Sequence, residues 1–342
     1  MPSLPQNSNP IVKKIPGKVT KYIVRKILTD EETKGLVRVF LEPHHFKIVL
    51  DHDADVYTED GQLLVRFRKG VLSKPKIDQM YKAIEEVIKH ASTDRGIASG
   101  SSMGRPTGQK NRVFSNIIGY FDKWSVYQKA IFKKAQMKPP SQCRFTSFTA
   151  REPEKWKQCI PLIEEIDQQY KLLCPKEHAS QLKAAKTTPF RIGKSAFSTI
   201  TTNLNFRTAA HQDTGDWEEG FGNLVVIERG TPYKGAHTGF PQYGVAVDCR
   251  EGDFLAMDVH QLHGNSPMIP GDDTSQRISL VSYLREAIVK KCAGEKLYDA
   301  TALEKKLEKY RAGWGKTARA KKQAGGKTRK NKLQAFFSFL SA

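Results

Sequence analysis

A His-x-Asp pair at His211-Gln212-Asp213, a second histidine at His263 and an arginine at Arg277 constrain this chain more than any other feature of it. Two imidazoles and one carboxylate occupy one face of an octahedral Fe(II) and leave three positions for a bidentate cosubstrate and dioxygen. Ligands some fifty residues apart meet at one ion when separate strands carry them into the interior of a barrel. The surrounding sequence has that character. Ser198–Arg207 is rich in β-branched residues and runs into His211; Leu224–Ile227, Tyr243–Asp248, Gly252–Asp258 and Arg277–Tyr283 read as further strands. Short strands with turn signals every ten to fifteen residues indicate a β-barrel or double-sheet jelly roll within an α+β chain.

The individual signals are weak and their order is what counts. A lone His-x-Asp is more often a surface pair, and a lone histidine more often a loop or core residue. His260 competes for the place of the second histidine, but the longer spacing and the following Gly264-Asn265 favour His263. Arg277 stands fourteen residues beyond it, and its planar fork suits the far carboxylate of 2-oxoglutarate. Ser279, on the same strand face, adds a hydroxyl to that carboxylate. Tyr283, further along the face, either stacks on a planar substrate or fills the barrel. If His211 points inward and the strand has no bulge, Ala209, Arg207, Asn205 and Asn203 share its side. Arg207 and Asn203 then join the cosubstrate contacts, or Arg207 contacts the ligand Asp213; the alternative for Arg207 is a salt bridge inside the fold, because an inward arginine needs a partner.

Charge narrows the partner. The net charge is +20, and residues 311–332 hold nine Lys or Arg and no acid. Such a tail is either a solvated, self-repelling segment or a contact for a polyanion, with salt-dependent binding in the second case. A protein hydroxylase has no need of so basic a chain. The five cysteines form no CxxC pair and are odd in number, which argues against a disulfide framework and for a reducing compartment. No secretory signal and no apolar run near the length of a membrane span is visible, so a soluble intracellular protein is expected.

Along the chain, residues 1–20 read as disordered and 21–190 as a helical and hairpin support region packed on the outside of the core. Within it, Asp60-Gly61 marks a hairpin, Ile77–Ala91 and Trp156–Leu173 have helical spacing, and Asp30 starts a short helix. Residues 191–290 are the catalytic core, 291–310 a last helix and 311–342 a basic tail. The glycine-rich loop around Arg105, Lys110 and Arg112 is a plain linker or a clamp on a phosphate backbone.

In Phe197–Asp216, Gly222–Ile227, Gly252–Leu255, His263–Asn265 and Arg277–Tyr283, with Arg95–Gly100 and Ile118–Tyr120 upstream, the chain resembles the TET/JBP family of Fe(II)- and 2-oxoglutarate-dependent nucleic-acid base dioxygenases. The likeness covers about residues 90–286, and it is nearer to the smaller protist, algal, fungal and viral members than to animal TET enzymes. The segment Gly239–Asp248 is also similar to the algal methylcytosine-modifying branch. The resemblance implies a double-stranded β-helix and oxidation of a pyrimidine 5-methyl group in DNA. It carries metal ligation onto His211, Asp213 and His263, the cosubstrate carboxylate onto Arg277 and Ser279, and base stacking onto Tyr283. Asp216 resembles an acid that faces the exocyclic amine of methylcytosine, and a carboxylate accepts from that amine. Arg285 stands where TET enzymes have a base-contacting histidine.

The expected substrate is therefore 5-methylcytosine, flipped out of the duplex, with Fe(II) and 2-oxoglutarate, in a monomer acting in the nucleus or in the DNA-containing compartment of an infected cell. The alternatives are a thymine hydroxylase, an ascorbate-dependent algal-type reaction, an RNA or protein hydroxylase, and a non-catalytic DNA-binding relict.

Overall fold

The computed structural model describes residues 9–90, 96–100 and 113–311. In chain order the elements are β1 (Ile11–Ile15), β2 (Thr20–Val24), α1 (Asp30–Gly35), β3 (Ile48–Leu50), β4 (Ala54–Thr58), β5 (Leu63–Arg68), α2 (Lys74–Ile88), β6 (Ser115–Phe121) and α3 (Val126–Lys134). Then follow β7 (Arg144–Phe145), α4 (Ser147–Arg151), α5 (Pro153–Leu173), α6 (Pro175–Ala185), β8 (Thr199–Leu204), β9 (Gly222–Arg229), β10 (Lys234–Gly235) and β11 (Thr238–Phe240). The last are β12 (Val245–Val247), β13 (Phe254–Met257), β14 (Gly264–Asn265), β15 (Met268–Ile269), β16 (Gln276–Tyr283) and α7 (Glu286–Cys292). Two compact units divide them: within the described residues, 9–122 with 143–297 form the larger, and 123–142 with 298–311 the smaller.

In the larger unit, one sheet has the order β1-β2-β4-β5-β13-β9-β16-β8-β6-β7 and a second has the order β14-β11-β12-β3. From β8 onward the chain alternates between them. β8 lies in the large sheet, and His211 bridges to His263 beside the small one. β9 returns to the large sheet, β11 and β12 to the small, β13 to the large, β14 to the small and β16 to the large. This winding is a double-stranded β-helix. Strands from both sheets meet in one apolar cluster that includes Val56, Phe67, Leu224, Phe240, Val245, Val247, Leu255 and Met257. Each fully buried side chain of this size contributes roughly 1.5–3 kcal/mol, and Phe240 is completely buried.

The support region differs from its sequence reading. Its strands do not sit outside the barrel; they are hydrogen-bonded into the large sheet. The hairpin β4–β5, turning at Gly61 with φ +82°, pairs through β5 with β13, and β6 pairs with β8 on the other side. Open sheet edges present unpaired N–H and C=O groups, and these additions cover both edges of the core sheet. The expected helices are present as α2 and α5. α2 buries Ile77, Met80, Ala83, Ile84 and Ile88; α5 buries Cys159, Leu162, Ile163, Ile166 and Tyr170; Lys155 and Glu86 join the two at 2.6 Å. The short helix at Asp30 is α1, closed by a Thr29–Glu32 capping box.

A second difference concerns the cysteines. Cys143 and Cys292, both fully buried, are joined as a disulfide across 149 residues of sequence, whereas Cys159, Cys174 and Cys249 are free and buried. Spacing in the sequence holds no trace of a pairing at that separation.

The smaller unit packs Trp124, Ile131 and Phe132 against Leu307. Residues 300–311 are helical, as the spacing of Leu303 and Leu307 predicts. The Trp124 indole donates to the Ser141 carbonyl at 2.8 Å. The basic tail beyond residue 311 lies outside the described residues.

Candidate metal centre and cosubstrate pocket

The bridge between the sheets builds the metal centre. His211 and His263 exchange two backbone hydrogen bonds, each 2.9 Å. Asp213 follows two residues on, its N–H donating to the Val259 carbonyl at 3.0 Å. Gly264 permits this approach: a Cβ there would stand 3.0 Å from the Leu41 side chain and 3.1 Å from the Ala210 nitrogen. That is the physical content of the glycine after the second ligand.

Each imidazole has its Nδ1 against a carbonyl, Ala209 at 2.8 Å for His211 and Gln261 at 3.0 Å for His263. These contacts place the proton on Nδ1 and leave the Nε2 lone pair for a metal. Both Nε2 atoms face the Asp213 carboxylate, at 3.5 and 3.7 Å. The three donor atoms lie within 4.8 Å of one another. Burial first, then the neighbouring His211 ring, lowers His263 to about 4, so it is a neutral donor at pH 7. Two imidazoles and a carboxylate with an open side fit Fe(II). His260 is not part of the cluster; its Nε2 meets the Trp217 carbonyl at 3.2 Å.

The triad opens onto a cavity of about 410 Å³. On one wall Asn203 and Ser279 are cross-strand partners of β8 and β16; the Asn203 amide donates to Ser279 Oγ at 3.2 Å and its Oδ1 accepts from Ser115. Arg277, two residues before Ser279, is 4% exposed, and its Nε and Nη2 are buried with no hydrogen-bond partner among the described residues. It is not itself part of the cavity wall. A buried cation without an acceptor is costly, and a carboxylate supplies the missing acceptors bidentately. The residues present therefore fit 2-oxoglutarate as well as Fe(II).

Arg207 takes the other of its two expected places. It pairs with Glu42 at 2.8 Å, donates to the Leu41 carbonyl and lies 5.3 Å from the Phe40 ring centroid. The alternation that would have aimed it inward ends at Asn205, whose φ is +49°. Asn205 closes the strand on Arg277 instead, donating to its carbonyl at 2.9 Å and accepting from its N–H at 2.7 Å.

Asp216, Tyr283 and Arg285 also line the cavity. Tyr283 is 7% exposed and its hydroxyl is 3.1 Å from Thr201 Oγ1. Arg285 Nε donates to Asp122 at 2.6 Å, and the guanidinium stacks 4.5 Å from the Phe121 ring centroid. Desolvation, and then the Asp213 charge, push the Asp216 carboxyl well above the usual carboxylate range. Phe121 and Asp122, together with Thr201, Thr238 and Asn265 around the cavity, were missed by the sequence reading. Asn265 alone had a signal, as the second residue after His263; the others are brought in by strand pairing. Arg105, Lys110 and Arg112 lie outside the described residues.

Residues 123–286 match the Tet_JBP family, the oxygenase domain of the 2OGFeDO superfamily. The bifunctional helicase and thymine dioxygenase JBP2 of Leishmania braziliensis is 30% identical over 275 residues, which are 77% of this chain and 22% of that protein. Thymine dioxygenase JBP1-A of Trypanosoma cruzi (strain CL Brener) is 34% identical over 272 residues, 77% of this chain and 30% of that protein. The chain thus spans about a fifth to a third of the length of these relatives. A solved structure of NgTET1 in complex with 5mC DNA aligns over 74% of this chain and 84% of that one, with a TM-score of 0.48 and 12% identity. With a double-stranded β-helix wound around a two-His-one-carboxylate centre, and with these relatives, the chain belongs to the Tet/JBP family.

Proposed function

We propose that this chain is an Fe(II)- and 2-oxoglutarate-dependent dioxygenase that oxidises the 5-methyl group of a pyrimidine in DNA, with thymine as the base. The observation that carries the chemistry is the pairing of the triad with Arg277, a buried guanidinium lacking acceptors. Fe(II) with 2-oxoglutarate supplies, when bound, the oxidising power for an unactivated C–H bond. His211, Asp213 and His263 hold the metal on one face. Arg277, supported by Ser279 and Asn203, orients the cosubstrate carboxylate. Tyr283 and the Phe121–Arg285 stack offer planar surfaces for a flipped base, and unstacking that base costs a few kcal/mol.

Support for thymine over 5-methylcytosine comes from the relatives, two of which are described as thymine dioxygenases. The sequence reading leaned to 5-methylcytosine through Asp216 as an acceptor. That lean loses its force here: the raised Asp216 carboxyl donates when protonated and accepts when ionised, so it suits either base. The net charge of +20 accords with a polyanionic substrate and with a compartment that contains DNA.

The test is mass spectrometry of nucleosides after incubation with Fe(II), 2-oxoglutarate and DNA containing both thymine and 5-methylcytosine. Hydroxymethyluracil that depends on 2-oxoglutarate is the expected product. An oxidised cytosine alone would move the reading to the TET-like base. A product formed with ascorbate in place of 2-oxoglutarate would move it to the algal-type reaction. No modified nucleoside from metal-loaded protein would sink it.

A further inference from the structure

Arg277 and Glu228 are directly opposite each other in the β16–β9 pairing. Opposed residues of an antiparallel pair share a face with Cβ atoms about 4.5–5.5 Å apart. An arginine and a glutamate so placed form an ion pair by default. Here they do not. No ion pair joins them among the described residues, and Arg277 keeps two buried N–H groups without acceptors.

Glu228 is drawn to Arg250 instead, with Oε1 3.6 Å from Nη1. This is attraction without a hydrogen bond to Arg250, and the Tyr233 hydroxyl faces the same carboxylate. Arg250 is anchored independently of Glu228. Its Nε donates to Asp248 at 2.6 Å, and its Nη atoms reach the Tyr233 and Gly235 carbonyls at 3.2 and 3.5 Å. Its guanidinium lies 4.4 Å from the Tyr233 ring centroid. Arg229, the next cation along β9, is committed to Glu251 at 2.6 Å and to Asp78.

We propose that Arg250 is a positioning residue that holds Glu228 away from Arg277 and so keeps Arg277 open for the cosubstrate carboxylate. Without Arg250, Glu228 faces Arg277 as its cross-strand partner, and an internal ion pair then competes with the incoming anion. The inference rests on the reading of Arg277 as the 2-oxoglutarate contact.

The test is calorimetric titration of the full chain, loaded with Mn(II) in place of Fe(II), with 2-oxoglutarate. Circular dichroism confirms that each variant is folded. Arg250→Met is expected to weaken binding at least about tenfold. Adding Glu228→Gln is expected to restore it to within about threefold of the unaltered chain, because a neutral amide no longer satisfies Arg277. A purely structural role for Arg250 would not be rescued by the second change. Wild-type affinity in folded Arg250→Met, or a double variant as weak as the single, overturns the inference alone. No uptake of 2-oxoglutarate by the unaltered chain overturns both the inference and the cosubstrate reading.

Discussion

The two ends of β16 treat their arginines in opposite ways. At the start, Arg277 is buried with unbonded N–H groups. Just past the end, Arg285 is held by Asp122 through its Nε and stacked on Phe121. The same residue type, eight positions apart, has N–H groups that the described residues do not satisfy in one place and is a finished piece of wall in the other. The contrast teaches that a buried charge alone does not mark a ligand site. What marks it is a buried charge whose partner the fold does not supply. The metal centre lies between, built from groups whose second nitrogens are already satisfied.

The largest expected effect removes what both ends serve. His211→Ala or Asp213→Ala should lower turnover by about a thousandfold or more, since a two-ligand site no longer holds the metal that carries the oxidation. DNA binding, measured by filter retention, should be unchanged. Retained turnover would break the metal assignment.

The comparison predicts opposite signs for the two arginines. Arg285→Met leaves the Asp122 carboxylate, which is 6% exposed, with the longer 3.5 Å contact to Lys291 in place of the Arg285 pair, and should destabilise the fold by about 2 kcal/mol in denaturant titration. Arg277→Met removes a charge that has no partner and should be neutral or stabilising by about 1 kcal/mol without cosubstrate. With saturating 2-oxoglutarate the order reverses for Arg277, because only the unaltered chain gains the stability that binding confers. Equal destabilisation by both variants would erase the distinction.

A smaller effect is expected with pH. Burial alone would raise the Asp122 carboxyl, but the Arg285 guanidinium outweighs it and holds the group below its ordinary value. A depressed carboxyl contributes stability that is fully present above its unfolded value and is lost as pH falls through its folded one. The unaltered chain should therefore lose more stability than Asp122→Asn as pH drops from about 5 towards 3. Parallel curves would show that the pair is energetically idle.

The smallest effect on chemistry should follow removal of residues 312–342, which carry eight Lys or Arg. DNA affinity and its salt slope should both fall, while the rate on a short saturating substrate stays within about twofold.

Much of the site was legible because its residues cluster in short, ordered stretches. His211 with Asp213, His263 with Gly264, and Arg277 with Ser279 each fall on one strand or one turn. The strands themselves showed through β-branched runs, and α2 and α5 through helical spacing. Phe121, Asp122, Arg250 and Glu228 had no such signal, because their roles come from cross-strand neighbours far away in sequence. Arg207 was drawn inward by an alternation that a single left-handed residue, Asn205, ends.

By itself, then, the amino-acid sequence determined the ligand set, the order of the core strands and the charge that suits a polyanion, because each depends on residue type and local period. Tertiary structure alone decided which edge strands complete the sheet, that Cys143 meets Cys292, and which arginine stays unpaired. Those outcomes depend on which groups compete for one another in space, and that competition is settled only when the two sheets close on their shared core.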